Sequence, residues 1–174
     1  MRTFAIVLLL AVAAAGGVTT AAGAGDPRVS VGGSVSVRLP GGWHLLSNKG
    51  TRVQVPVPRL AAATFDVRFS RHQCVCGTPN VSNFPRTGAF LFVWEYPHVA
   101  RRDFKAIPPR PARFRIGRSA IRPYACAGPS DGVSFRQGGR GFQVEIYLGP
   151  AAPRAARAQI AAILDSWRVT ETLR

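Results

Sequence analysis

Three cysteines and a nearby histidine are the residues of this sequence whose types best suit chemistry. His72, Cys74 and Cys76 alternate along the chain, and Cys126 follows much later. Thiolate and imidazole groups bind zinc and copper, so these four residues could form a Cys3His metal site, although their spacing differs from the usual zinc motifs. The same thiols could instead exchange disulfides as a redox relay.

A structural disulfide is the interpretation that we favour for these cysteines. Disulfides persist in exported proteins, and the start of the chain, described below, predicts export. A bridge between Cys74 and Cys76 would be strained. We therefore expect Cys126 to pair with Cys76 or with Cys74, leaving one thiol unpaired. Closing the loop between Cys126 and either of these cysteines would raise the free energy of unfolding by about 4 kcal/mol in the chain-entropy model. This interpretation requires no metal and no other cofactor.

No other residues carry the signature of an enzyme. The sequence has no Gly-x-Ser-x-Gly elbow and no His-Glu-x-x-His motif, so we expect a protein without a catalytic site; the alternative is a hydrolase without a readable signature. Glu95 lies on an apolar stretch and is expected to be semi-buried. A buried carboxylate next to an arginine is usually a structural ion pair, and a ligand-site role for Glu95 is the alternative. His44 and His98 stand at turn-like positions, where surface or capping roles are expected.

Basic residues outnumber acidic residues by 23 to 8, which gives a formal net charge of +15. One short segment holds eight of them beside a single acid, Asp103: Arg101, Arg102, Lys105, Arg110, Arg113, Arg115, Arg118 and Arg122. Such a cluster attracts polyanions through counterion release. The alternatives are a solvated face that keeps the protein soluble and an arginine excess that reflects GC-rich coding.

The expected partner of this basic cluster follows from the compartment. An exported protein meets anionic envelope polymers or lipid headgroups, and the sequence contains no recognised nucleic-acid-binding motif. If the cluster has a binding partner, we therefore expect an anionic envelope polymer or lipid headgroups and not nucleic acid.

Residues 1–24 have the features of a secretory signal peptide. Arg2 precedes the apolar run Phe4–Ala15, and Ala22-Gly23-Ala24 fits the small-x-small rule for cleavage after Ala24. Earlier cleavage, after the apolar run, and retention as a membrane anchor of about 20 uncharged residues are the alternatives. We predict a secreted or envelope-associated protein in which residues 25–174 form one domain without a further transmembrane span.

The elements that must position these residues are mostly strands. Residues 88–96 are apolar on both faces, which predicts a central strand. Alternating runs flank Gly138-Gly139-Arg140-Gly141 and predict a β-hairpin. Alternation also predicts a strand over 63–69. A further valine-rich run over 28–39 is interrupted at Gly32-Gly33 by a bulge or a turn.

One helix is predicted, from about Ala151 to Ser166, with Pro153 in its first turn. Ile160, Ile163 and Leu164 recur at helical spacing and form an apolar stripe with Trp167. Several strands followed by one helix predict the α+β class: a mostly antiparallel sheet with a C-terminal amphipathic helix packed on one face.

Three motifs give the sequence a resemblance to known proteins. Leu39-Pro40-Gly41-Gly42-Trp43, the glycine-rich hairpin and Leu164-Asp165-Ser166-Trp167 resemble small secreted actinobacterial proteins of unknown function. More distantly, the strand order and final helix are similar to the PsbP-like α/β sandwich of photosystem extrinsic proteins and lipid-linked envelope proteins. The resemblance implies a non-catalytic accessory or binding domain, and it supplies no catalytic set to carry over.

Overall fold

The structure is a computed structural model that describes residues 27–47, 49–52, 54, 56–71, 79–97, 106–117, 121–122 and 133–170. The described part contains two β-sheets and one short helix, α1, near the C-terminus. The strands are β1 (Arg28–Gly32), β2 (Val35–Arg38), β3 (His44–Leu45), β4 (Val57–Ala63), β5 (Ala89–Tyr96), β6 (Ile121–Arg122), β7 (Val133–Gln137), β8 (Arg140–Leu148) and β9 (Arg168–Val169), and α1 is Ala155–Asp165.

The larger sheet has six strands in the order β3-β4-β5-β8-β6, and β7 also pairs with β8. The smaller sheet has the order β1-β2-β9. Among these pairs only β6 and β8 are parallel. The predicted class, α+β with mostly antiparallel strands, is confirmed.

Strand β5 is the centre of the larger sheet, as its apolar sequence predicted. It pairs with β4 on one side and with β8 on the other, where the register runs from Ala89 opposite Leu148 to Tyr96 opposite Gly141. Every β5 residue from Ala89 to Glu95 is buried. A strand that is covered on both faces must be apolar at nearly every position, which explains why its sequence does not alternate.

The hairpin of β7 and β8 is also confirmed. Its turn residues Gly138 and Gly139 both have positive φ, at 57° and 70°, a conformation that glycine adopts readily and that suits a two-residue hairpin turn. Phe135 and Phe142 face each other across the two strands and stack at 5.1 Å between ring centroids. Trp167, which follows α1, packs edge-on against Phe142 at 5.2 Å.

Two hydrophobic clusters lie on opposite faces of the larger sheet. The first includes Leu91 and Val93 of β5, and to it β1, β2 and α1 also contribute buried residues. The second contains Phe90, Phe92 and Trp94 of the same strand, with partly buried aromatic residues of the segment 64–84 against it. The alternation of side chains along a strand explains how one strand serves both clusters.

Two predicted boundaries were wrong. Helix α1 begins at Ala155 rather than Ala151, because Pro153 disfavours the helical conformation in the residue before it. The strand predicted over 63–69 is instead β4, Val57–Ala63, and residues 64–68 lie outside named strands. The alanine-rich end of β4 has low strand propensity by sequence, but its position between β3 and β5 buries it fully.

We predict that Gly149→Ala destabilises the protein by about 1–3 kcal/mol, since added bulk at a packed site forces the backbone to shift. The amide of Gly149 donates to the carbonyl oxygen of Gly88 at 2.9 Å, and a Cβ at position 149 would overlap the carbonyl of Arg86. Urea unfolding measures the change. Gly41→Ala is the control, because no atom lies within 4 Å of a Cβ placed there. Equal midpoints for the two variants would contradict the prediction.

Candidate functional site

The four residues of the predicted disulfide or metal site lie outside the described residues. These are His72, Cys74, Cys76 and Cys126. Within the part of the chain that the structure describes, no group of three or more His, Cys, Asp or Glu side chains could hold a metal ion. The disulfide and its alternatives therefore stay predictions from sequence.

The structure describes the side chains of three members of the predicted basic cluster, and they differ in environment. Arg113 and Arg115 are exposed, whereas Arg110 is half-buried at the end of α1. The Nη2 atom of Arg110 donates to the carbonyl oxygens of Leu164 at 3.1 Å and Asp165 at 2.7 Å. A cation in this place satisfies the last carbonyls of a helix and its dipole.

The structure does not describe the side chains of the other members of that basic cluster. Arg122 lies in β6. Arg101, Arg102, Lys105 and Arg118 lie outside the described residues. Arg110 differs from its exposed neighbours Arg113 and Arg115 because it is half-buried and donates hydrogen bonds to the end of α1.

A carboxylate held between two arginines is the main charged group inside the described part. Glu95, near the end of β5, is 2% exposed. Its Oε2 atom accepts hydrogen bonds from Nε of Arg59 and Nη2 of Arg140, and its Oε1 atom accepts one from Nε of Arg140 at 2.8 Å. The arginine pairing expected for this residue is confirmed. We call these three residues the ionic cluster.

Arg59 lies at a β-bulge in β4. The register shifts between Pro58, which lies opposite Trp94, and Leu60, which lies opposite Val93, so Arg59 is the extra residue. A bulge accommodates a proline within a sheet. Because Val57 lies opposite Glu95, alternation from Val57 places Arg59 on the face of the larger sheet that carries Glu95.

The ionic cluster also contacts the turn between β1 and β2. The Nη1 atom of Arg140 donates to the carbonyl oxygen of Gly33 at 2.7 Å. A Cβ at Gly33, whose φ is +58°, would overlap the guanidinium of Arg59. Glycine suits both the positive φ and the limited space at position 33, and the ionic cluster ties the smaller sheet to the larger one.

The pKa of Glu95 reflects two opposing effects. Burial raises the pKa of this carboxyl group. The hydrogen bonds and charges of Arg140 and Arg59 together lower the pKa by more than burial raises it, so the pKa lies below its ordinary value. Glu95 is consequently ionised at neutral pH. Ion pairing with fixed donors is the usual cause of a lowered carboxyl pKa.

A second buried carboxylate, Glu145, lies on the opposite face of the larger sheet. It accepts hydrogen bonds from Nε1 of Trp94 at 2.8 Å and from the hydroxyl of Tyr147 at 2.7 Å. The hydroxyl of the neighbouring Tyr96 donates to Gln143 at 2.8 Å. Burial, and then the charge of Glu145, raise the pKa of Tyr96, so this tyrosine stays protonated and able to donate.

The two buried carboxylates leave the exterior of the described part strongly basic. Of its four acidic residues, Glu95 and Glu145 are buried, and Asp165 accepts a hydrogen bond from the amide of Phe114 at 2.8 Å. Only Asp66 is exposed, within the described ranges. The exposed arginines there are Arg38, Arg52, Arg68, Arg71, Arg86, Arg113, Arg115, Arg154, Arg157 and Arg168. This basic exterior is the feature that the sequence analysis located only in part.

Comparison with protein-family models, curated proteins and solved structures gives no match for this chain. The PsbP-like resemblance accordingly stays a prediction from sequence. Within the described residues, no helix combines the length and the apolar character that crossing a bilayer requires.

We predict that Glu95→Gln destabilises the protein by about 3–5 kcal/mol, because it leaves two arginine charges partly buried without their counter-ion. Asp66→Asn, which removes the same charge from an exposed position, should change the free energy of unfolding by less than about 0.5 kcal/mol. Urea unfolding at neutral pH compares them. Replacing all three members of the ionic cluster by apolar residues should cost less than Glu95→Gln alone, and a greater cost would contradict this account.

The same cluster should give the protein an acid-sensitive stability. Since the pKa of Glu95 is lowered on folding, its contribution is complete above the ordinary glutamate range and is lost as the pH falls through the lowered value. The difference in unfolding free energy between the wild type and Glu95→Gln should therefore shrink on acidification. Urea midpoints of both proteins between about pH 7 and pH 3 measure this difference, and a constant difference would refute the assignment.

Proposed function

We propose that the protein is a secreted or envelope-associated, non-enzymatic accessory or binding protein whose basic surface binds an anionic partner. The observation that carries this proposal is the distribution of charge in the described part, where ten arginines and one carboxylate, Asp66, are exposed. The partner chemistry is that of an anionic envelope polymer or of anionic lipid headgroups.

The placement of the acids supports this function more than the net charge alone. A chain with few acids could still neutralise its exterior locally if those acids lay beside surface arginines. Here Glu95 and Glu145 instead satisfy donors inside the protein. Arg113 has Oδ2 of Asp165 at 3.9 Å from its Nη1 atom. The other exposed guanidinium groups of the described part are left to produce a positive field that attracts and orients polyanions.

Further elements of the proposal concern the mature molecule. We propose that residues 1–24 direct export and are removed, that Cys126 pairs with Cys76 or Cys74, and that the domain has a PsbP-like architecture with α1 packed on one face of the larger sheet. Buried α1 residues share a hydrophobic cluster with Leu91 and Val93 of β5, which supports that packing.

We predict that the protein binds dextran sulfate with an affinity that falls steeply as salt rises. The logarithm of the association constant should decrease linearly with the logarithm of salt concentration, with a slope on the order of −0.9 for each charge neutralised on a dense polyanion. Isothermal titration across a salt series gives the slope. Uncharged dextran is the matched control polymer and should not bind. Equal binding to both polymers would overturn the proposed function, and so would a protein that binds neither dextran sulfate nor anionic phospholipid vesicles at low salt.

A further inference from the structure

A cavity of about 550 Å³ lies between the end of β8 and the beginning of α1. Part of its wall is apolar and is formed by Leu148, Ala152 and Pro153. Arg154 and Arg157 also line it, and both are exposed. A volume of this size lies within the range of small-molecule sites, roughly 300–1,000 Å³.

The scaffold beside this cavity is held firmly by backbone contacts. The amide of Ala151 donates to the carbonyl oxygen of Arg86 at 2.8 Å, and the amide of Gly88 donates to the carbonyl of Pro85 at 3.0 Å. These contacts place the exposed Arg86 on a loop that adjoins the β8–α1 connection. Arg86, Arg154 and Arg157 thus lie on neighbouring segments of backbone.

The positive charges of Arg154 and Arg157 beside the cavity disfavour helix α1. Neither an acidic residue in the first turn nor a side-chain cap is present at the start of α1. Arginine near a helix N-terminus repels the positive end of the helix dipole. Local choices that oppose the stability of an element are expected mainly at functional sites, so the arginine pair indicates a role other than stabilising α1.

We propose that this cavity binds a phosphate group of an anionic polymer, with Arg154 and Arg157 as the phosphate ligands. Guanidinium groups bind phosphate oxygens through paired hydrogen bonds as well as by charge. The apolar wall contributed by Leu148 and Pro153 would contact the carbon skeleton that carries the phosphate. The inference rests on the proposed function and assigns a particular site and chemistry to it.

The positions of other arginines favour a polymer over a small phosphate as the occupant. The eleven residues of α1 separate its two ends by about 16 Å. At the far end, Arg168 follows the helix, and the amide of Arg38 donates to Oγ of Ser166 at 2.7 Å. A flexible chain anchored in the cavity could place further anionic groups near these exposed cations, whereas a single phosphate could not.

The test compares two double variants that remove the same charge. Arg154→Gln/Arg157→Gln alters the cavity, and the control, Arg113→Gln/Arg115→Gln, alters exposed members of the sequence-predicted basic cluster. With long-chain inorganic polyphosphate as the probe, the cavity variant should lose at least about tenfold more affinity than the control at moderate salt, because each lost phosphate contact also forfeits counterion release. Vesicles of anionic phospholipid form a second arm.

Thermal unfolding of the same variants shows whether lost binding reflects lost structure. Removing two cations from the start of α1 should leave the melting temperature unchanged or raise it, so a fall in affinity without a fall in melting temperature supports the site. Equal losses in the two variants would overturn the cavity assignment but leave the proposed function standing. A wild-type protein that binds none of the three probes, polyphosphate, dextran sulfate and anionic vesicles, would refute both proposals. Binding to vesicles alone would refute the polymer as the occupant of the cavity but leave the proposed function standing.

Discussion

The neutralisation of Glu95 is the interaction on which the arrangement of the two sheets depends. A carboxylate in this buried position is tolerated only with well-placed counter-ions, and Arg59 and Arg140 supply them from the strands on either side of β5. Arg140 also donates to Gly33 in the turn of the smaller sheet. One group of charges therefore joins the end of β5 to both of its neighbouring strands and links the smaller sheet to the larger one.

The fold was predictable where local pattern and tertiary environment agree. The β7–β8 hairpin follows from two glycines between alternating runs, and β5 follows from a stretch that is apolar on both faces. The prediction failed at β4, where alanines with low strand propensity are buried because the strand pairs with β3 on one side and β5 on the other. It was inaccurate at the start of α1, where the effect of Pro153 on the preceding residue outweighed the high helix propensity of alanine.

The candidate site was predictable to a smaller extent. The pairing of Glu95 with arginine followed from its position on a buried strand, and alternation along β8 places Arg140 on the same face as Phe142. Arg59 was not assigned, because the register that sets Val57 opposite Glu95, and so puts Arg59 on the same face, depends on the pairing of β4 with β5. The basic exterior likewise depends on which carboxylates are buried, and burial is a property of the assembled sheets.

The interior and exterior charges of this protein are consequently linked. Composition alone can explain a large number of arginines, but it does not determine that carboxylates such as Glu95 and Glu145 point inward. Once those two side chains satisfy donors within the sheets, they no longer neutralise arginines at the surface, and the exposed charges of the described part are mainly guanidinium groups. A variant in which one of these carboxylates is moved from the core to the surface would have a less stable core. It would also have a weaker positive potential to attract an anionic partner.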